Sequence, residues 1–138
     1  MSPALIVDTS ALLATLLAEP SRDAVLVELA EAETVLLSSC CALEASIVTT
    51  SRLGVVGQAE LDHLLDIFSV EVVAFTADHA ALAAEAWRRF GKGRHPAALN
   101  LGDCMTYAIA RLARRPLLCV GDDFRQTDLD LVPLPPSP

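Results

Sequence analysis

Ala4-Leu5-Ile6-Val7-Asp8-Thr9-Ser10 joins four apolar residues directly to an acid and two hydroxyls. A short continuous apolar run suits a strand buried on both faces. The next residues, Ser10-Ala11-Leu12-Leu13-Ala14-Thr15-Leu16-Leu17, make a good helix sequence, with Asp8, Thr9 or Ser10 available as its cap. Asp8 is thus expected where a central strand ends and a helix begins. In open parallel α/β sheets the crevice outside the carboxyl ends of the strands is where sites form. Helix capping alone is the competing explanation, because Asp is a preferred cap.

The same alternation continues along the chain. Further strands are expected at Thr34–Leu37, Val70–Phe75 and Leu117–Val120, with a short last one near Leu131–Leu134. Helices are expected to about Ala18, from Pro20 to about Ala32, from Ser38 or Ser39 through Leu53, over Gln58–Phe68, over Ala77–Phe90 and from about Leu101 to Arg115. Gly54 and Gly57 are expected to bracket a turn. Gly91-Lys92-Gly93-Arg94-His95-Pro96 is the clearest loop, and a mobile one is expected there. The Pro-rich end is expected to fray. Strands alternating with helices imply a parallel sheet of about five strands covered on both faces, a three-layer α/β/α sandwich. With no repeat or linker, residues 1–138 are expected to form a single domain.

The chain has 138 residues, of which 53% are hydrophobic, enough for a full core and too many for disorder. No apolar run is long enough to span a bilayer and no charged-then-apolar leader opens the chain, so no membrane association and a cytoplasmic location are expected. Cys40, Cys41, Cys104 and Cys119 lack CxxC spacing and lie in apolar segments, where Cys behaves as a small hydrophobe. A net charge of −8 argues against simple nucleic-acid binding. Yet Arg88, Arg89, Lys92, Arg94, Arg111, Arg114 and Arg115 are seven of the ten basic residues and fall in one region. Solubility alone would also explain them.

Four places hold candidate acids. Glu44 lies in the otherwise apolar and small Cys40–Val48, where a buried carboxylate is costly unless paired or bound to a metal. Otherwise it faces solvent with Thr50 and Ser51. Asp103 follows Asn100-Leu101-Gly102. Asn100 can cap the helix, Asp103 can interact with its first-turn amides, and Gly102 would allow another group to approach closely. Asp122 and Asp123 follow an apolar strand, as Asp8 does, though Gly-Asp-Asp is also ordinary turn chemistry. Together these place carboxylates at two strand ends and two helices, all able to face one crevice. An all-oxygen cluster suits Mg²⁺ or Mn²⁺ rather than zinc.

Val7-Asp8-Thr9-Ser10-Ala11-Leu12, Glu44, Arg94–Cys104 with its Asn100-Leu101-Gly102-Asp103-Cys104, and Val120-Gly121-Asp122-Asp123-Phe124 with Thr127-Asp128-Leu129 resemble PIN-domain ribonucleases, and among them VapC toxins of bacterial toxin–antitoxin pairs. The resemblance spans essentially the whole chain. It implies a Mg²⁺- or Mn²⁺-dependent endoribonuclease whose acidic positions match Asp8, Glu44, Asp103 and, by the Asp before Phe, Asp123, with adjacent Asp122 as the alternative. It further implies that Ser10 and Asn100 hydrogen-bond the acids or a water on the metal. An RNA substrate, a homodimer and a small VapB-like antitoxin whose C-terminal segment covers the site also follow from it. Metal charge would turn an acidic pocket into a phosphate site, with Arg88, Arg89, Lys92 and Arg94, and Arg111–Arg115, holding flanking backbone.

Other α/β readings fit less of the chain. A haloacid-dehalogenase-type phosphotransfer enzyme wants a second Asp where Ser10 stands. A receiver domain wants a Lys after a late strand, and Lys92, the only Lys, lies in a mid-chain loop. A PIN-like binding module without activity would not need the full acid set.

Overall fold

In the computed structural model, which describes residues 3–136, β1 (Leu5–Val7), β2 (Val35–Ser38), β3 (Glu71–Val73) and β4 (Leu117–Leu118) form a four-stranded sheet in the order β3-β2-β1-β4. Every pairing is parallel. Leu5 lies opposite Val35, Ile6 opposite Leu117, and Leu37 opposite Val72. The end of the expected Pro-rich tail, Ser137 and Pro138, lies outside the described residues, as do Met1 and Ser2.

Strand alternation divides the core into two faces. Leu5 and Val7 of β1, Val35 and Leu37 of β2, and Leu118 point to one side. There they pack with α1 (Thr9–Leu16), α2 (Arg22–Glu31), α3 (Ser39–Leu53) and α4 (Val55–Ile67). Ile6, Leu117 and Cys119 point to the other side, onto α5 (Ala77–Phe90) and α6 (Leu101–Ala113). This is the three-layer sandwich that continuous apolar strands require, because neither sheet face can be left in water. The chain winds outward from β1 to β3 with its helices on one face. It then crosses back over the other face to place β4 beside β1. The strand order therefore switches between β1 and β4, and the crevice at their carboxyl ends opens there.

Several strands are shorter than the apolar runs that suggested them, and β3 covers only Glu71–Val73 of Val70–Phe75. β4 stops at Leu118 because the Val120 N–H turns away and donates to the Ser10 hydroxyl at 3.0 Å. The fifth strand is reduced to one parallel bridge between Leu117 and Leu131. Leu117 donates to the Asp130 carbonyl and Val132 to that of Leu117, at 2.9 and 2.8 Å. Pro133 has no N–H with which to extend the ladder. Among the described residues, no helix is long and apolar enough to cross a membrane.

The turn expected between Gly54 and Gly57 is made by Gly54 alone, at φ 70°, and α4 begins at Val55. Gly57 sits within the helix for a packing reason. A Cβ there would lie 2.3 Å from the backbone oxygen of Thr49 on α3, so only glycine lets the two helices approach this closely. Gly57→Ala is expected to cost about 1–3 kcal/mol by forcing the helices apart. Urea unfolding of the purified variant measures this, and an unchanged midpoint would contradict the close crossing.

Candidate metal centre

Asp8 ends β1 and caps α1. Its Oδ2 accepts the Ser10 backbone N–H at 3.1 Å, and its Oδ1 accepts the Thr106 hydroxyl proton at 2.7 Å. It is buried, so both bonds offset the cost of removing a carboxylate from water. Across the crevice, Asn100 and Asp103 form a reciprocal cap at the start of α6. The Asn100 side chain accepts the Asp103 N–H at 2.9 Å, and Asp103 Oδ2 accepts the Asn100 N–H at 3.1 Å. Both acids are thus held by main-chain amides at helix N-termini, where the helix dipole also favours negative charge.

Glu44 is half-buried on α3 and does not lie on an open polar stripe. A Cβ on Gly102 would lie 2.5 Å from its Oε2, so the missing side chain is the space in which this carboxylate rests. Asp103 registers the convergence of the acids. Burial first, and then the charges of Asp123, Asp8 and Glu44, push its carboxyl up to about 6, against the pull of the Asn100 amide hydrogen bond. Cys119 is pushed up to about 12 by burial and by Asp8, Asp123 and Asp103. The adjacent pair at the end of β4 therefore divides. The charge of Asp123 reaches the crevice, whereas Asp122 is 80% exposed and paired with Arg125 at 3.2 Å.

Among the described residues, no three His, Cys, Asp or Glu side chains are drawn tightly around one point. The chemistry of the donor set nonetheless fits a hard divalent cation. The converging donors are carboxylate oxygens, their mutual repulsion outweighs the nearby charge of Arg125, and the nearby thiols stay protonated.

Ser10 and Asn100 both hydrogen-bond the acids, each through its backbone amide. The Ser10 hydroxyl accepts the Val120 N–H and so ties the segment carrying Asp123 to α1. Thr106 escaped the sequence reading altogether. Its contact with Asp8 spans 98 positions, and the only local signal is its place one turn after Asp103 on the same helix face.

The basic residues separate into distinct groups. Arg89 is committed to structure: it donates to the Tyr107 hydroxyl and pairs with Asp128 at 3.3 Å and with Glu85 at 3.8 Å. Arg88, Lys92 and Arg94 are exposed. The Arg94 guanidinium lies 4.7 Å over the ring of Trp87 and donates to the Arg88 carbonyl. The loop carrying Lys92 and Arg94, where a mobile segment was expected, is held by main-chain hydrogen bonds. Lys92 N–H bonds to the Leu99 carbonyl, Leu99 N–H to that of Phe90, and His95 N–H to that of Gly91. His95 packs edge-on against Phe90. Arg111, Arg114 and Arg115 lie at the far end of α6, some ten residues or about 15 Å beyond Asp103, beside Asp128 and Asp130.

The chain matches the PIN domain over residues 5–129. It belongs to the PIN-domain family, within the group of VapC ribonucleases. It is 47% identical over 127 residues to Ribonuclease VapC36 of Mycobacterium tuberculosis, covering 91% of each chain. It is 48% identical to Ribonuclease VapC of Mycolicibacterium smegmatis, covering 93% of this chain and 99% of that one. In fold it resembles a crystal structure of Mycobacterium tuberculosis VapC20, a sarcin–ricin loop cleaving toxin. That match has TM-score 0.77 and 19% identity, over 93% of this chain and 98% of that one. VapBC2 of Rickettsia felis bound to a promoter DNA fragment gives TM-score 0.73 at 15% identity, over 96% and 99%. Membership of this family sets aside the phosphotransfer and receiver-domain readings.

Asp103 links the site to stability. Unfolded, it titrates near 3.8; folded, at about 6. The folded state holds the proton more tightly, so any stability tied to it is present below pH 4 and is lost as pH rises through 6. Asp103→Asn keeps an acceptor for the Asn100 amide and removes the charge. In chelator-treated buffer at pH 7.5 this variant is expected to be more stable than wild type by on the order of 1 kcal/mol, with the gain gone at pH 4. Paired thermal melts at the two pH values measure it, and a loss of stability at pH 7.5 would contradict the repulsion.

Proposed function

We propose that this protein is a Mg²⁺- or Mn²⁺-dependent endoribonuclease, the toxin of a toxin–antitoxin pair. The observation that carries the reading is the crevice between β1 and β4 with its four acids, in a chain nearly half identical to VapC ribonucleases over almost its whole length. Residues 1–138 act as one PIN domain. Asp8, Glu44, Asp103 and Asp123 would hold the cation, and Asp122 is left to its partner Arg125. When bound, the cation supplies positive charge for the scissile phosphate and activates water for attack on phosphorus.

The chain's own residues do the rest. Backbone amides of Ser10 and Asn100 fix the rotamers of Asp8 and Asp103, and Gly102 leaves room for Glu44. Arg88, Lys92 and Arg94 hold the RNA backbone beside the start of α6, without reading bases. Arg89, which is paired with Glu85 and Asp128, is given a structural role in this reading. A VapB-like antitoxin covers the site, a reading supported by the solved VapBC assemblies of the same fold. A homodimer belongs to the same proposal. Four free cysteines accord with a reducing cytoplasm.

Incubating the purified protein with RNA, in chelator and after adding Mn²⁺, tests the activity directly. Asp8→Asn is expected to lower cleavage by at least about a hundredfold with an unchanged circular dichroism spectrum. Mn²⁺ at about 100 times its Kd is expected to stabilise the wild type by about 2.7 kcal/mol. Full activity in Asp8→Asn, or a melting curve indifferent to Mn²⁺, would overturn the assignment.

Joint replacement of Lys92 and Arg94 by Gln is expected to weaken RNA binding and to flatten its salt dependence by about one log–log unit per lost contact. The single-turnover rate at saturating RNA should hold. If that rate collapses while binding is unchanged, the two residues act in the chemistry instead.

A further inference from the structure

Beneath the acids runs a buried chain of three polar side chains. Thr106 Oγ1 donates to Asp8 Oδ1 at 2.7 Å, and Cys41 Sγ lies 3.0 Å from Thr106 Oγ1. Cys41 and Thr106 are each 1% exposed and Asp8 6%, so water does not share these bonds. The direction of the chain follows from proton counting. An ionised carboxylate only accepts, and a hydroxyl has one proton to give. Thr106 gives that proton to Asp8, so the Cys41 S–H must be the donor to Thr106. The Thr9 hydroxyl closes the arrangement by donating to the Cys41 carbonyl at 3.4 Å.

The placement of these residues is what makes the chain more than a core contact. Cys41 stands one turn before Glu44 on α3, and Thr106 one turn after Asp103 on α6. Residues three apart share a helix face. The chain therefore ties together the three elements that carry Asp8, Glu44 and Asp103, directly under those carboxylates. It also commits one oxygen of Asp8 to the protein and sets the plane of the carboxylate.

We infer that Thr106, backed by the Cys41 thiol, is a positioning residue that orients Asp8 for cation binding. The inference rests on the metal-dependent reading of the crevice. Hydrogen-bond partners of ligating carboxylates change metal affinity by about ten- to a hundredfold when removed.

The test measures Mn²⁺ affinity by calorimetry or electron paramagnetic resonance, together with kcat and KM on RNA. Thr106→Val keeps the shape and removes the donor. It is expected to weaken Mn²⁺ binding about tenfold or more and to lower kcat with KM for RNA unchanged. Thr106→Ser is expected to restore both. Cys41→Ala should give a smaller loss, since Thr106 can still donate. If Thr106→Val does not fold by circular dichroism, Thr106→Ala serves in its place, with the same expectation. Wild-type Mn²⁺ affinity in a folded Thr106→Val or Thr106→Ala would overturn the inference and leave the metal-dependent reading standing. Failure of the wild type itself to bind Mn²⁺ would overturn both.

Discussion

Carboxylates gathered at one end of a parallel sheet repel one another, and the architecture around them is arranged to hold that repulsion in place. Asp8 and Asp103 are buried, yet each meets a main-chain amide at the first turn of a helix. Main-chain donors cannot rotate away, and at a helix N-terminus they carry the partial positive charge of the whole helix. The sheet contributes by bringing β1 and β4 side by side, so that two strand ends deliver acids to one crevice. The residual repulsion is visible at Asp103, raised to about 6. The negative charge is in this way kept concentrated at one end of the sheet.

The fold shows how local the governing signals are. Asp8 and Asp103 lie at junctions marked by short-range patterns: an apolar strand meeting a cap, and an Asn-x-x-Asp box opening a helix. Such patterns are complete within a few residues, so the sequence alone exposes them. Gly102 was legible for the same reason, as a gap beside an acid. The partner that fills the gap, Glu44, arrives from nearly sixty positions away.

What stayed hidden depends on distance along the chain or on side-chain direction. Thr106 looks like one more helix residue until α6 is laid against β1 and α3. Arg89 looks like a member of a basic run until Asp128, 39 positions on, arrives beside it. Asp122 and Asp123 are neighbours that only the following Phe ranks in the sequence, and the pairing of Asp122 with Arg125 becomes visible only in the folded turn. Gly57 misled for an opposite reason: glycine serves turns and close helix crossings alike, and the pattern around it does not say which. The fifth strand failed where proline removed the donor that pairing needs.

Trp87 is the only tryptophan of the chain; it is 45% exposed and lies under the Arg94 guanidinium. Gly91 keeps it there, since a Cβ at that position would lie 2.6 Å from the indole ring. Excited at the red edge of its absorption, where Tyr107 does not absorb, the molecule emits from a single indole at the rim of one groove. Its intensity and wavelength act as a built-in optical gauge of that groove. Whatever displaces Arg94 or excludes water there changes the colour and yield of the light, with no dye attached.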